Sequence, residues 1–455
     1  MSLHYSDWLI IAGYFFGLFW IGFIPGRNKK NNQNEFILSG RKLSLPGFIA
    51  TLVTTWYGAI LGIGENTYQY GIQTWFIFAF PYYVFAIIYA LWVANRVRQQ
   101  KQLSIPDHFR RSYGKTTGII SAVLIVFLSS PAPYILSMGI LLQFLFDIQL
   151  AWGLILATVF SVGYIWKGGF NAVVKTDYFQ FMFMFVGFLI LFIFSWKTAV
   201  SPFELFSALP TTHTQPLGGN TLQYVLVWFF IALWTMVDPG FFQRCAAAES
   251  AEVARKGLLI SIGFWFFFDC LTIITGLYAY IIVVPDQPLM SFPVLGAEIL
   301  PPVYLGLFLV GIFSIIMSTI DSFSLINAIT LGRDILWRIK PPKTNRYPTP
   351  FIRKGLLIMA LLSVLLAFLI PSVVKLFYIL GSILIPGLIL PFLFALQGKR
   401  MPEHLANIWI LFPVIVSLIW ELISFIDGVL LWNIEPFYPG FLSSLILWVL
   451  FYRKT

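Results

Sequence analysis

Gly311-Ile-Phe-Ser314-Ile315-Ile-Met-Ser318-Thr319-Ile-Asp321-Ser322 lies inside an apolar run from Val303 to Thr330, long enough to cross a bilayer as a helix. Hydroxyls and a carboxyl at that depth have no water to bond, so they need each other, a neighbouring helix or an ion. Ser314, Ser318 and Ser322 recur every four residues and Asp321 follows Ser318 by three, which places them roughly on one helical face. A buried stripe of hard oxygen donors suits a small alkali cation. The stretch therefore points to an ion-coupled transporter.

The composition agrees. Of 455 residues, 59% are hydrophobic and 11% charged, against about 25% charged in soluble domains. The longest polar loops run to only about two dozen residues, which leaves no room for a soluble domain. Cys245 and Cys270 are far apart and have no metal spacing. All four histidines (His4, His108, His213, His404) fall in predicted loops or the terminal tail. Neither an intramembrane histidine relay, a zinc site nor the clustered side chains of a membrane-embedded enzyme is indicated. No filter-like loop or ring of charges suggests a channel.

Thirteen apolar stretches have spanning length, near 7–26, 46–69, 73–95, 116–146, 150–166, 177–196, 221–243, 257–284, 302–330, 353–373, 375–397, 405–426 and 439–452; they are numbered spans 1–13. Met1 to Asp7 lacks Lys and Arg, whereas Arg27, Lys29 and Lys30 follow the first stretch. This predicts a retained first span with its N-terminus outside. With that orientation, every Lys and Arg of the 29 except Lys197 and Lys375 falls in a cytoplasmic loop or at the cytoplasmic C-terminus. The net charge of +10 is thus a topology signal, and it calls for a plasma-membrane bilayer and no nucleic acid.

Span 2 reads Thr54-Thr-Trp-Tyr57-Gly58-Ala-Ile-Leu-Gly62-Ile-Gly64-Glu65-Asn66, too many helix breakers and polar groups for a plain lipid-facing helix. Span 7 ends Trp234-Thr-Met-Val-Asp238-Pro239-Gly240, a second break. Backbone leaves the helix within a membrane only where it is buried or lines a cavity, and freed carbonyls there coordinate ions. Two interrupted spans five apart suggest an inverted repeat.

Several stretches together resemble one family. They are Leu38-Ser-Gly40-Arg41, Ser104-Ile-Pro106-Asp107-His-Phe-Arg110 and Gly168-Gly169-Phe-Asn-Ala172-Val173-Val-Lys-Thr176-Asp177-Tyr-Phe-Gln180. Gln243-Arg244…Ala246-Ala247 and Met317-Ser318-Thr319 followed by Gly332-Arg-Asp334 complete the set. In this order they resemble the sodium:solute symporter family over roughly residues 7–400. The resemblance implies an all-α polytopic protein with a LeuT-like inverted-repeat core and flanking helices. One integral membrane domain would comprise residues 1–45 (first span and loop), 46–397 (core) and 398–455 (peripheral spans). It implies Na⁺-coupled symport of a small organic solute by alternating access, with no organic cofactor.

Carried over position by position, the family's sodium site takes backbone carbonyls of Thr54, Tyr57 and Ile315 and the hydroxyls of Ser318 and Thr319. A further cation position in some members maps to Thr55, Asp177, Thr319 and Ser322. Asp321 stands where compared members are uncharged; it is a further candidate for that second cation or exit position, and it raises proton coupling as the nearest alternative. A transporter-like solute sensor is another, although no signalling domain is fused. The plain alternatives are hydroxyls bonded back to their own helix for Ser318 and Thr319, a helix cap for Asp177 and a cap or turn role for Asp238. Asp269, inside span 8, needs a partner such as Thr272 or a hydroxyl on another span. Trp56, Tyr57, Trp228 and Trp234 are the pocket aromatics; Glu65, Ser137 and Gln143 are weaker solute candidates.

Overall fold

The structure, a computed structural model, describes residues 3–23, 33–341 and 348–452. Of the charges used for topology, Arg27, Lys29, Lys30, Lys343, Arg346, Arg453 and Lys454 lie outside the described residues. The described secondary structure is helical apart from one isolated bridge, Leu43 to Ala248.

Among the described residues, ten helices are long and apolar enough to cross a bilayer, and an eleventh span is the bent pair Leu45–Trp56 and Ile60–Tyr70, at 54°. These are predicted spans 1–4 and 6–12. Predicted spans 5 and 13 fall on shorter apolar helices, Leu150–Gly163 and Phe437–Phe451. Thirteen is therefore a count of apolar segments. Apolar composition marks a segment, but its helical length also depends on how the chain turns at its ends. The loop expected after span 5 is itself helical, since Leu150–Thr198 is interrupted only at Gly169, whose φ of 56° lies in the left-handed region.

Span 9 (Tyr304–Trp337) is the axis of the bundle, with every residue from Phe308 to Thr330 buried. In a bilayer, close packing and polar contacts hold helices together, because lipid tails are as apolar as leucine. Span 9 accordingly meets span 6 (Gly168–Thr198) at a pair of glycines: a Cβ on Gly311 would stand 3.1 Å from the Gly187 Cα and 3.0 Å from the Phe183 carbonyl.

The basic face of the bundle is tied shut. Leu43, just before span 2, pairs with the end of span 7 (Leu43 N to Ala247 O, 3.1 Å; Glu249 N to Leu43 O, 3.0 Å). Arg41 donates to the Ala246 carbonyl at 2.9 Å, and Arg98 to those of Ala248 at 2.5 Å and Glu249 at 3.1 Å. These bonds fix the first half of span 2 against the second half of span 7.

Candidate cation and solute sites

Span 2 leaves the helix at Tyr57-Gly58-Ala59. Gly58 is there because Thr319 of span 9 leaves room for nothing larger: a Cβ on Gly58 would stand 2.5 Å from the Thr319 Cβ. The Thr319 hydroxyl donates to the Thr55 carbonyl across the helix interface at 3.0 Å and to Ile315 O in its own helix at 3.1 Å. Back-bonding thus describes only half of Thr319. Ser318 instead donates to Asp177 Oδ1 at 2.6 Å. The Thr54 hydroxyl donates to Ala50 O at 2.8 Å and the Tyr57 phenol to Trp265 O at 2.9 Å. Both side chains are thereby engaged elsewhere, so carbonyls are what these two residues have to offer a cation between spans 2 and 9.

Asp177 is no helix cap. It is wholly buried, more than two turns inside Gly168–Thr198, and its second oxygen accepts from Thr51. Across Thr51 lies Arg244, counted from sequence with a basic loop but in fact fully buried on the helix Pro239–Ala247. Its Nη2 donates to Thr51 Oγ1 (3.0 Å), Thr55 Oγ1 (2.7 Å) and Ser322 Oγ (2.8 Å), and its guanidinium lies 5.7 Å from the Phe170 ring centre. The signal was available: Pro239 pre-forms a first helical turn, so the helix carries on and takes Arg244 into the bundle. Of the second group of positions, Asp177, Thr55 and Ser322 meet around Arg244. Asp321 is directed instead toward Ser161 on the segment Leu150–Gly163, near Tyr14 of span 1.

Beside this network, spans 2, 3, 4, 7, 8, 9 and 11 line a cavity of about 110 Å³. It extends to Val373 and Val374 in the first turn of span 11 (Val373–Leu396), at the face opposite the basic loops. Trp56, Tyr57 and Trp234 line it, with Asp238 and Asp269. Asp238 caps the second half of span 7, accepting from Phe241 N at 2.8 Å. Asp269 accepts from Tyr83 of span 3, a hydroxyl on another span, and Thr272 bonds only backbone carbonyls. Trp228 packs away from the cavity against Phe78 and Tyr378. Ser137 is buried and bonded back to Pro133 O at 2.9 Å. Half-buried Glu65 and exposed Gln143 also stand outside the lining.

The model of the sodium:solute symporter family matches residues 36–410. The chain belongs to this family. Membership makes it an integral membrane transporter and not an enzyme. Among curated relatives, sodium/proline symporter 2 of Staphylococcus saprophyticus is 23% identical over 391 residues, 80% of this chain and 75% of that one. A sodium/proline symporter of Staphylococcus aureus is 24% identical over 399 residues, 81% of this chain and 76% of that one. Among solved structures, a Na⁺-coupled sialic acid symporter in a substrate-bound outward-open state superposes with a TM-score of 0.79 at 15% identity, over 98% of this chain and 97% of that one. That likeness establishes the symporter's fold, the all-helical LeuT-like one.

Proposed function

We propose that this chain is a Na⁺-driven symporter that moves a small organic solute inward across the plasma membrane by alternating access, its N-terminus outside and its C-terminus cytoplasmic. The observation that carries the reading is the Thr319 hydroxyl joining the break of span 2 to span 9, with Ser318 beside it. The ion's ligands are the carbonyls of Thr54, Tyr57 and Ile315 and the hydroxyls of Ser318 and Thr319. Ser318 gives its proton to Asp177, so its lone pairs are free for a cation. Because the ligands sit on two helices, the ion binds tightly only when those helices are close. Differential affinity between two arrangements is what coupling requires.

The solute docks in the cavity beside the breaks of spans 2 and 7. The bundle then rocks, and the bonds that seal the basic face give way. Asp177, which already accepts from Ser318, receives the leaving ion. A membrane potential contributes about 2.3 kcal/mol per charge per 100 mV to inward movement.

Proton coupling on the same fold is the second reading, favoured by Asp321, a carboxyl fully buried one turn from Ser318. The test is uptake into proteoliposomes from a pooled solute library under an inward Na⁺ gradient, a matched H⁺ gradient or neither. Na⁺-driven uptake abolished by Ser318→Ala/Thr319→Ala is expected. Uptake driven by H⁺ alone, and lost with Asp321→Asn, would replace the first reading by the second.

A further inference from the structure

The cavity's chemistry narrows the solute, granted the reading above that the cavity is the solute site. One wall is built on Trp56, whose ring centre lies 4.9 Å from Tyr82 and 5.6 Å from Phe241. A second wall is built on Tyr134, 5.5 Å from Phe323 and 5.7 Å from Phe377, with Trp234 6.1 Å from Phe377. Asp238 lies near the phenols of both walls, Tyr82 and Tyr134. Asp269 adds a second carboxyl to the lining.

Amide and amine donors are missing from the lining, whose donors are hydroxyls, indoles and one guanidinium. No Lys, His, Asn or Gln side chain is among the described residues lining the cavity. The one basic residue there, Arg244, is already bonded to Thr51, Thr55, Ser322 and Gly240, and Asp177 stands across Thr51 to balance its charge. A carboxylate or phosphate would thus meet two aspartates and one guanidinium, of which only Nε lacks a hydrogen-bond partner among the described residues.

A positively charged group gains from the aromatic and acidic parts of the lining, which outnumber the single guanidinium of Arg244. Aromatic faces attract an alkylated ammonium, and a carboxylate that already caps a helix keeps further acceptor positions. The Thr235 hydroxyl, 1% exposed, lines the cavity and has no protein partner. The volume of about 110 Å³ is of the order of the cavities of about 150 Å³ that hold benzene, so the site suits a small solute.

We propose that the transported solute is a small organic cation, an alkylated ammonium without a carboxylate, held between the two aromatic walls with Asp238 and Asp269 as its counter-charges. The purified full chain is titrated with tetramethylammonium and with choline, followed by tryptophan fluorescence and thermal unfolding, in Na⁺ and in K⁺. Betaine, xylitol and acetate are the zwitterionic, neutral and anionic comparators. Saturable binding of the two cations is expected, weakened at least tenfold by Asp238→Asn, which keeps the helix cap, and weakened also by Asp269→Asn. Binding of a comparator in preference to both cations overturns the proposal, and so does cation binding that neither variant alters. Cations binding equally in Na⁺ and K⁺ would uphold this proposal and count against Na⁺ coupling. A Na⁺-specific thermal shift, lost in Ser318→Ala/Thr319→Ala, without cation binding would do the reverse.

Discussion

Thr51 stands between two buried charges, Asp177 and Arg244, and bonds to both. Removing one member of such a pair strands the other and costs about 3–5 kcal/mol, whereas replacing both by neutral groups costs much less. We therefore expect Asp177→Ala to lower thermal stability sharply, and Asp177→Asn/Arg244→Met to cost less than its two single changes added together, in a double-mutant cycle on detergent-purified protein. Additive losses would mean the two charges do not support each other. At this scale the sequence was partly legible. Hydroxyl spacing on span 9 and the family motifs marked Ser318, Thr319 and Asp177, because period and motif are local properties. Arg244 was assigned to a loop since its depth depends on where span 7 stops. Trp228 and Trp234 looked alike in sequence. Which of them faces the cavity is fixed by helix rotation within the bundle, and that depends on the other spans.

The break in span 2 was legible as an element, because glycines and threonines at depth need a structural reason. Its cause was not: Gly58 answers to Thr319, more than two hundred residues away. Gly58→Ala places a methyl against Thr319 and is expected to destabilise the protein by about 1–3 kcal/mol and to raise the half-saturating Na⁺ concentration at least tenfold in a thermal-shift titration. An unchanged Na⁺ response would separate the glycine from the ion. The short helix Ile105–Tyr113 at the basic face carries His108, which is 2% exposed and packed between Phe242 of span 7 and Phe392 of span 11. Burial pushes this imidazole down to about 4 from an ordinary 6.5; Arg111 adds to the push and Asp107 opposes it. The unfolded chain takes up the proton first, so stability is full above about pH 6.5 and falls as the pH drops toward 4. The loss is on the order of 3 kcal/mol. Unfolding midpoints measured across that range should flatten in His108→Leu relative to the parent; equal slopes would mean that other groups carry the acid sensitivity.

For the whole molecule, hydropathy marked eleven of the thirteen apolar segments as spans in their order, since apolar length is dictated by the bilayer itself. It could not give the short helices at predicted spans 5 and 13, nor the packing that encloses the solute cavity. The bundle joins a sealed basic face, a cavity reaching the opposite face and a hydroxyl cluster between spans 2 and 9. In the account above, the ion holds that arrangement together and its loss releases it. The most direct test is equilibrium binding of radioactive sodium to the purified chain, with K⁺ as competitor, in the parent and in Ser318→Ala/Thr319→Ala. The account predicts saturable binding that K⁺ does not displace and that the double variant lacks. Saturable binding that survives in the double variant, or none in the parent, would contradict it.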